Sequence, residues 1–163
     1  MMLSNWFKKE KKNYPEFWQN YLDYFDSKSD KNNEKRFVVF DTETTGLDVR
    51  TDVILSIGAV TICGNSIIVN DCFELFVEQN IFKTESVPIH GILKEGKEKK
   101  LTESESVIRF LDFIKDSTLV GHQVRFDVNM VNGALGRMGV GNLKNRSMDT
   151  DKMYQKFKGL QEE

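Results

Sequence analysis

The chain has little of what would mark an oxidising, metal-stapled or membrane setting. Cysteine occurs only at Cys63 and Cys72 among 163 residues, without the spacing of a zinc or redox motif. Both fall in strand-like sequence, so buried, reduced thiols are expected. No apolar run approaches the ~20 residues of a membrane-spanning helix. Lys8, Lys9, Lys11 and Lys12 make the start basic, yet no apolar stretch follows them, which argues against a secretory leader. The cluster itself reads as a solvated surface. There is no excess of one sign either: 23 Lys and Arg face 25 Asp and Glu, a formal net charge of −2, so nothing announces duplex binding through bulk electrostatics. The expectation is a cytoplasmic protein with no membrane partner, and a length of one domain with a real core.

What is present begins with Phe37-Val38-Val39-Phe40-Asp41-Thr42-Glu43-Thr44-Thr45-Gly46. Four apolar, β-branched or aromatic residues are too few for a helix and read as a buried strand. Residues i and i+2 of a strand share a face, so Asp41 and Glu43 would hold their carboxylates side by side at the strand's end. Two adjacent anions repel unless a cation offsets them. A hard ion such as Mg²⁺ or Mn²⁺ takes oxygen ligands of this kind, and a pair of such ions serves phosphodiester cleavage. The alternative is an ordinary turn, with Asp41 capping backbone amides and Gly46 supplying a positive φ.

Around this motif the pattern is mixed. Residues 14–26 place Phe17, Tyr21, Tyr24 and Phe25 at helical spacing with Pro15 near the start, which predicts an amphipathic helix. The polar run 27–35 reads as a linker. Residues 53–62 and 67–77 are β-rich and joined around Gly64-Asn65-Ser66, which is hairpin chemistry. Thr102-x-x-Glu105 is a capping box opening a helix over about 103–115. A short strand at 118–121, a helix over 125–138 closed by Gly139, a short strand at 147–149 and a final helix over 152–157 follow. A hairpin followed by alternating helices and strands predicts an α/β sheet with helices packed on it.

Farther along, Gly121-His122-Gln123-Val124-Arg125-Phe126-Asp127 opens a helix, and Ile89-His90-Gly91-Ile92 lies between the two motifs. D-x-E-T-T-G, I-H-G-I and G-H-x-x-x-F-D in this order resemble the DEDDh exonucleases, 3′→5′ enzymes of the DNA polymerase III epsilon, or proofreading-subunit, type. The resemblance covers about residues 36–158. It implies a ribonuclease-H-like fold: a mixed five-stranded sheet flanked by helices, the second strand antiparallel, with the site at one end of the sheet. It also implies an exonuclease-type domain over 36–163, C-terminally incomplete, behind an N-terminal helical appendage and linker over 1–35. Carried over residue by residue, Asp41, Glu43 and Asp127 match catalytic metal ligands for Mg²⁺ or Mn²⁺, two ions in the complete site. Thr44, Leu47, His90 and Phe126 match positions that hold the terminal nucleotide. The implied partners are single-stranded or 3′-ended nucleic acid, DNA before RNA, and a polymerase or repair protein. Alone, Asp127 would read as a first-turn helix acid, Phe126 as core, and each histidine as a structural hydrogen-bonder.

The family's last segment, H-x-x-x-x-D, supplies a general base and a fourth acid. Here no histidine follows His122, and Asp149 reads as a helix cap. The expectation is a shortened exonuclease, nearly inactive as this polypeptide, with a degenerate relative as the alternative. Three rival readings stand beside it. Asp41, Glu43, Thr45, Gly46 and Asp52 fall at calcium-loop positions, but strands rather than helices flank them. A phosphatase would want an aspartate at position 43. A non-catalytic nucleic-acid or protein-binding module on the same fold is the third.

Overall fold

The computed structural model describes residues 14–26, 35–80, 91–92 and 99–159. β1 (Arg36–Thr44) runs through the middle of a mixed sheet and carries the first motif to its end. It is longer than its four apolar residues suggest, because pairing with antiparallel β2 (Ile54–Cys63) continues to Thr44 opposite Ile54. Val38, Phe40, Thr42 and Thr44 are buried and alternate with the more open Asp41 and Glu43, as a period of two requires. The register slips between Glu43 and Thr44, a local irregularity of the kind that re-aims side chains beside functional sites.

β2 turns back into antiparallel β3 (Ser66–Val77) through Gly64-Asn65. Gly64 has φ +55°, the left-handed value such a tight hairpin needs. Two register rows then cross the sheet: Asp41, Gly58 and Glu74 in one, and Glu43, Ser56 and Phe76 in the other. On the other side of β1 lie β5 (Thr118–Gly121) and β6 (Ser147–Asp149), both parallel. At the far edge β4 (Lys100–Leu101) pairs parallel to Phe76 and Val77. The order is β4-β3-β2-β1-β5-β6. Six strands replace the expected five because two residues held by backbone pairing leave no periodic pattern to read.

Four helices are described: α1 (Glu16–Asp26), α2 (Glu103–Ile114), α3 (Arg125–Arg137) and α4 (Thr150–Phe157). The expected capping box opens α2: the Thr102 hydroxyl accepts from the Glu105 amide while the Glu105 carboxylate accepts from the Thr102 amide. α3 ends at Arg137 and Gly139 follows with φ +76°. Val38, Phe40, Ile57, Phe110, Leu119 and Met130 belong to one buried cluster. Among the described residues no helix is long and apolar enough to cross a membrane.

α1, expected as an appendage, buries Trp18 and Tyr21 in that same cluster. Of the expected stripe, Tyr21 is buried and Phe17 and Phe25 pack against the core, and Trp18, which the helical spacing left out, is buried beside Tyr21. The Tyr21 hydroxyl donates to Asn145 Oδ1 at 2.6 Å and accepts from the Lys144 amide at 2.7 Å. Asn145 in turn donates to the carbonyls of Lys115 and Ser117. Burial pushes the Tyr21 phenol up to about 12 against the opposing pull of the Lys144 and Asn145 backbone. The proposed linker over 27–35 lies, apart from Lys35, outside the described residues. The expected burial of the cysteines is corrected: both are free, but Cys63 is half-buried and Cys72 exposed. Cys72 lies where β3 is largely exposed, ahead of the Phe76–Val77 segment that β4 pairs with.

Candidate active site

The two carboxylates of β1 open onto a cleft of about 300 Å³, lined by Asp41, Glu43, Ser56, Gly58, Glu74 and Phe76 with Ile57 and Ile92. The cross-strand rows assemble it, since directly paired residues of neighbouring strands present their side chains to the same face. Asp41 is exposed and Glu43 half-exposed.

Asp127 arrives from the other neighbour of β1. Gly121 ends β5 where an added Cβ would lie 3.0 Å from the Phe40 carbonyl oxygen, so glycine permits close approach of the two strand ends. The chain then turns through Gln123 at φ +49°. The Val124 amide donates to Asp149 Oδ2 at 3.1 Å, and α3 begins with Asp127 in its first turn. Negative charge is favoured there by the helix dipole. Asp127 is only 3% exposed. Its Oδ1 accepts from the Thr42 amide at 3.0 Å and from the Thr42 hydroxyl at 2.6 Å. Burial raises its pKa above the ordinary value, the Thr42 hydroxyl opposes that, and the charge of nearby Asp41 adds to it.

The structure therefore brings Asp41 and Glu43 together and ties Asp127 to Thr42 between them, within reach of the Asp41 charge, with one Asp127 oxygen engaged by Thr42. Among the described residues no three His, Cys, Asp or Glu side chains stand grouped around a point where a metal ion would sit. The donor chemistry nonetheless fits a hard divalent cation: the groups are all carboxylates, two lie open on one face, and no ion pair among the described residues neutralises them.

The loop after β1 is organised by Asp52, which is 3% exposed. Its Oδ1 accepts from the Thr45 hydroxyl at 2.8 Å and its Oδ2 from the Asp48 amide at 3.0 Å. The Thr45 hydroxyl also accepts from the Val53 amide, and the Thr44 hydroxyl donates to the Gly46 carbonyl. Gly46 is not in the left-handed region, which corrects the turn reading. A Cβ there would fall 2.5 Å from Asp52 Oδ2, so glycine is required by close approach. Strands flank this loop, which removes the calcium-loop rival. Leu47 is held outward, 84% exposed. Phe126 is partly buried against the core, and His90 lies outside the described residues. His122 is exposed, with Nδ1 3.4 Å from the Thr150 hydroxyl. Asp149 caps α4 as expected, accepting from the Asp151 amide at 3.0 Å.

Sequence reading missed Thr42, Gly58, Glu74 and Phe76, and saw Asp52 only as a position of the calcium-loop rival. Only the alternation along β1 and the pairing of β1, β2 and β3 would have found most of them.

Residues 38–162 match the model of the Exonuclease family of the RNase T type. The chain belongs to the exonuclease family. As an exonuclease domain it is 37% identical over 125 residues to the DNA polymerase III subunit epsilon of Treponema pallidum, covering 76% of this chain and 58% of that relative. It is 32% identical over 116 residues to the PolC-type DNA polymerase III of Pediococcus pentosaceus, covering 71% of this chain but 8% of that protein. Its fold is similar to exonuclease I in the ExoI/SSB-Ct complex, with TM-score 0.70, 17% identity, 79% of this chain and 31% of the other covered. Escherichia coli exonuclease I in complex with a dA16 oligonucleotide gives TM-score 0.67 at 19% identity, over 76% and 30% of the two chains. The family and the ribonuclease-H-like fold implied by the three motifs are thereby borne out.

Proposed function

We propose that this exonuclease domain removes nucleotides from the 3′ end of DNA, with Asp41, Glu43 and Asp127 as the carboxylates that hold Mg²⁺ or Mn²⁺. The observation carrying this reading is the meeting of Asp41 and Glu43 in one cleft with Asp127 hydrogen-bonded to Thr42, the residue between them. Two divalent ions, when bound, supply an activated water and stabilise the leaving oxygen of a phosphodiester. The chain's own contribution is to orient: Thr42 holds Asp127, and Asp52 holds the loop that presents Leu47. Thr44, Leu47, His90 and Phe126 are assigned to the terminal nucleotide, with Leu47 offering exposed apolar surface and Phe126 an aromatic ring. The epsilon and PolC-type relatives support single-stranded or 3′-ended DNA as substrate, a polymerase as partner, and the cytoplasm as location.

The 163-residue polypeptide itself is assigned very low activity. No histidine follows His122, and Asp149 has both oxygens engaged at the starts of α3 and α4. Absence of a general base typically removes about 10²–10⁴ of rate. The test is cleavage of 3′-labelled single-stranded DNA with Mg²⁺ or Mn²⁺. Background-level cleavage is expected; robust cleavage abolished by Asp41→Ala would overturn the inactivity. Calorimetry with Mn²⁺ and a short 3′-ended oligonucleotide separates this reading from a protein-binding module, which would bind neither.

A further inference from the structure

Gly58 sits in the interior of β2, paired with Asp41 on one side and Glu74 on the other. Its φ is not left-handed, and among the described residues a Cβ built on it meets nothing within 4 Å. Neither backbone conformation nor packing against the described residues requires glycine there. A glycine inside a strand weakens it, and its usual justifications are a bulge, a bend, or the close approach of a ligand or another backbone. The register is continuous through Gly58, with the β2–β3 slip falling later, between Val60 and Thr61. What remains is approach from the open side, and that side is the cleft between Asp41 and Glu74.

The lining says which part of a substrate fits. With Asp41 and Glu43 given to the metal ions, Glu74 is the acceptor left in the lining, and it suits an N–H or O–H donor of a sugar or base. Phe76 and Ile92 add apolar surface. A cleft of about 300 Å³ lies at the small end of ligand sites, suited to a single nucleoside rather than a duplex. We propose that Gly58 is a specificity-determining residue: its missing side chain leaves the floor on which the sugar or base of the terminal nucleotide rests, between Asp41 and Glu74. The proposal builds on the exonuclease reading and adds the residue that gates entry.

The experiment compares the 163-residue chain with its Gly58→Val and Gly58→Ala variants. Binding of a fluorescent 3′-ended oligothymidylate with Mn²⁺ present is followed by anisotropy, alongside thermal unfolding. Because a β-branched side chain suits a strand and meets open space here, the Val variant is expected to keep or raise the unfolding temperature. Its Kd should rise at least tenfold, with a smaller rise for Ala. If the wild type binds and both variants bind equally well, the Gly58 proposal is wrong and the exonuclease reading stands. If the wild type binds no oligonucleotide, both fall together. Should the Val variant unfold, the Ala variant decides: a raised Kd supports the proposal and an unchanged Kd overturns it.

Discussion

Replacing Gly46 with alanine tests whether the loop after β1 is built around a buried carboxylate. The new methyl would lie 2.5 Å from Asp52 Oδ2 and 2.9 Å from Asp52 Cγ. A flexible carboxylate would swing aside at little cost, but both oxygens of Asp52 are engaged, by Thr45 and Asp48, and the residue is buried. Moving it loses at least one hydrogen bond to a charged acceptor, about 1.5–3 kcal/mol. Alanine restricts the unfolded chain more than glycine does, which returns about 0.4–1 kcal/mol. The net loss is therefore about 0.5–2.6 kcal/mol, or a fall of about 1–10 °C in unfolding temperature for a domain of this size. Differential scanning calorimetry measures it. An unchanged or higher midpoint would refute the close-approach account of Gly46. Leu47 should also lose its fixed position, so oligonucleotide affinity should fall with stability.

Two further outcomes are expected. Tyr21→Phe removes a hydroxyl that both donates to Asn145 and accepts from Lys144, and should cost about 1–3 kcal/mol. The urea midpoint should drop at unchanged m-value, and an unshifted midpoint would show that α1 does not depend on this lock. Glu103 ties α2 to α3 through two hydrogen bonds to Arg137 and also accepts from Gln79. Burial raises its pKa, but the Arg137 guanidinium and the Gln79 amide outweigh that and hold the carboxyl below its ordinary value. A depressed folded pKa contributes stability above the unfolded value of about 4.3 and loses it as pH falls through the folded value. The wild type's unfolding-temperature advantage over Glu103→Gln should therefore be full near neutrality and shrink at acid pH; an advantage growing under acid would contradict the sign.

The fold was largely legible because its local signals agree. The Thr102–Glu105 box, the Gly64-Asn65 turn and Gly139 after α3 each act over a few residues, and each element formed where its pattern placed it. β4 was invisible because its two residues owe their conformation to the β3 edge. The stripe of α1 was incomplete because several aromatics satisfy a helical period, and only the neighbouring surface adds Trp18 to Tyr21 in the core.

The division is sharpest at the candidate site. Sequence alone determined that Asp41 and Glu43 share a face, since alternation along a strand is a local property, and that Asp127 opens a helix. It also established that no histidine follows His122. Only the tertiary structure decided that Thr42 holds Asp127, that Asp52 rather than backbone torsion demands Gly46, and that Gly58 and Glu74 complete a cleft with Asp41. Those relations depend on strand register and on contacts between residues up to 85 positions apart. Local propensity carries no information about which strands become neighbours.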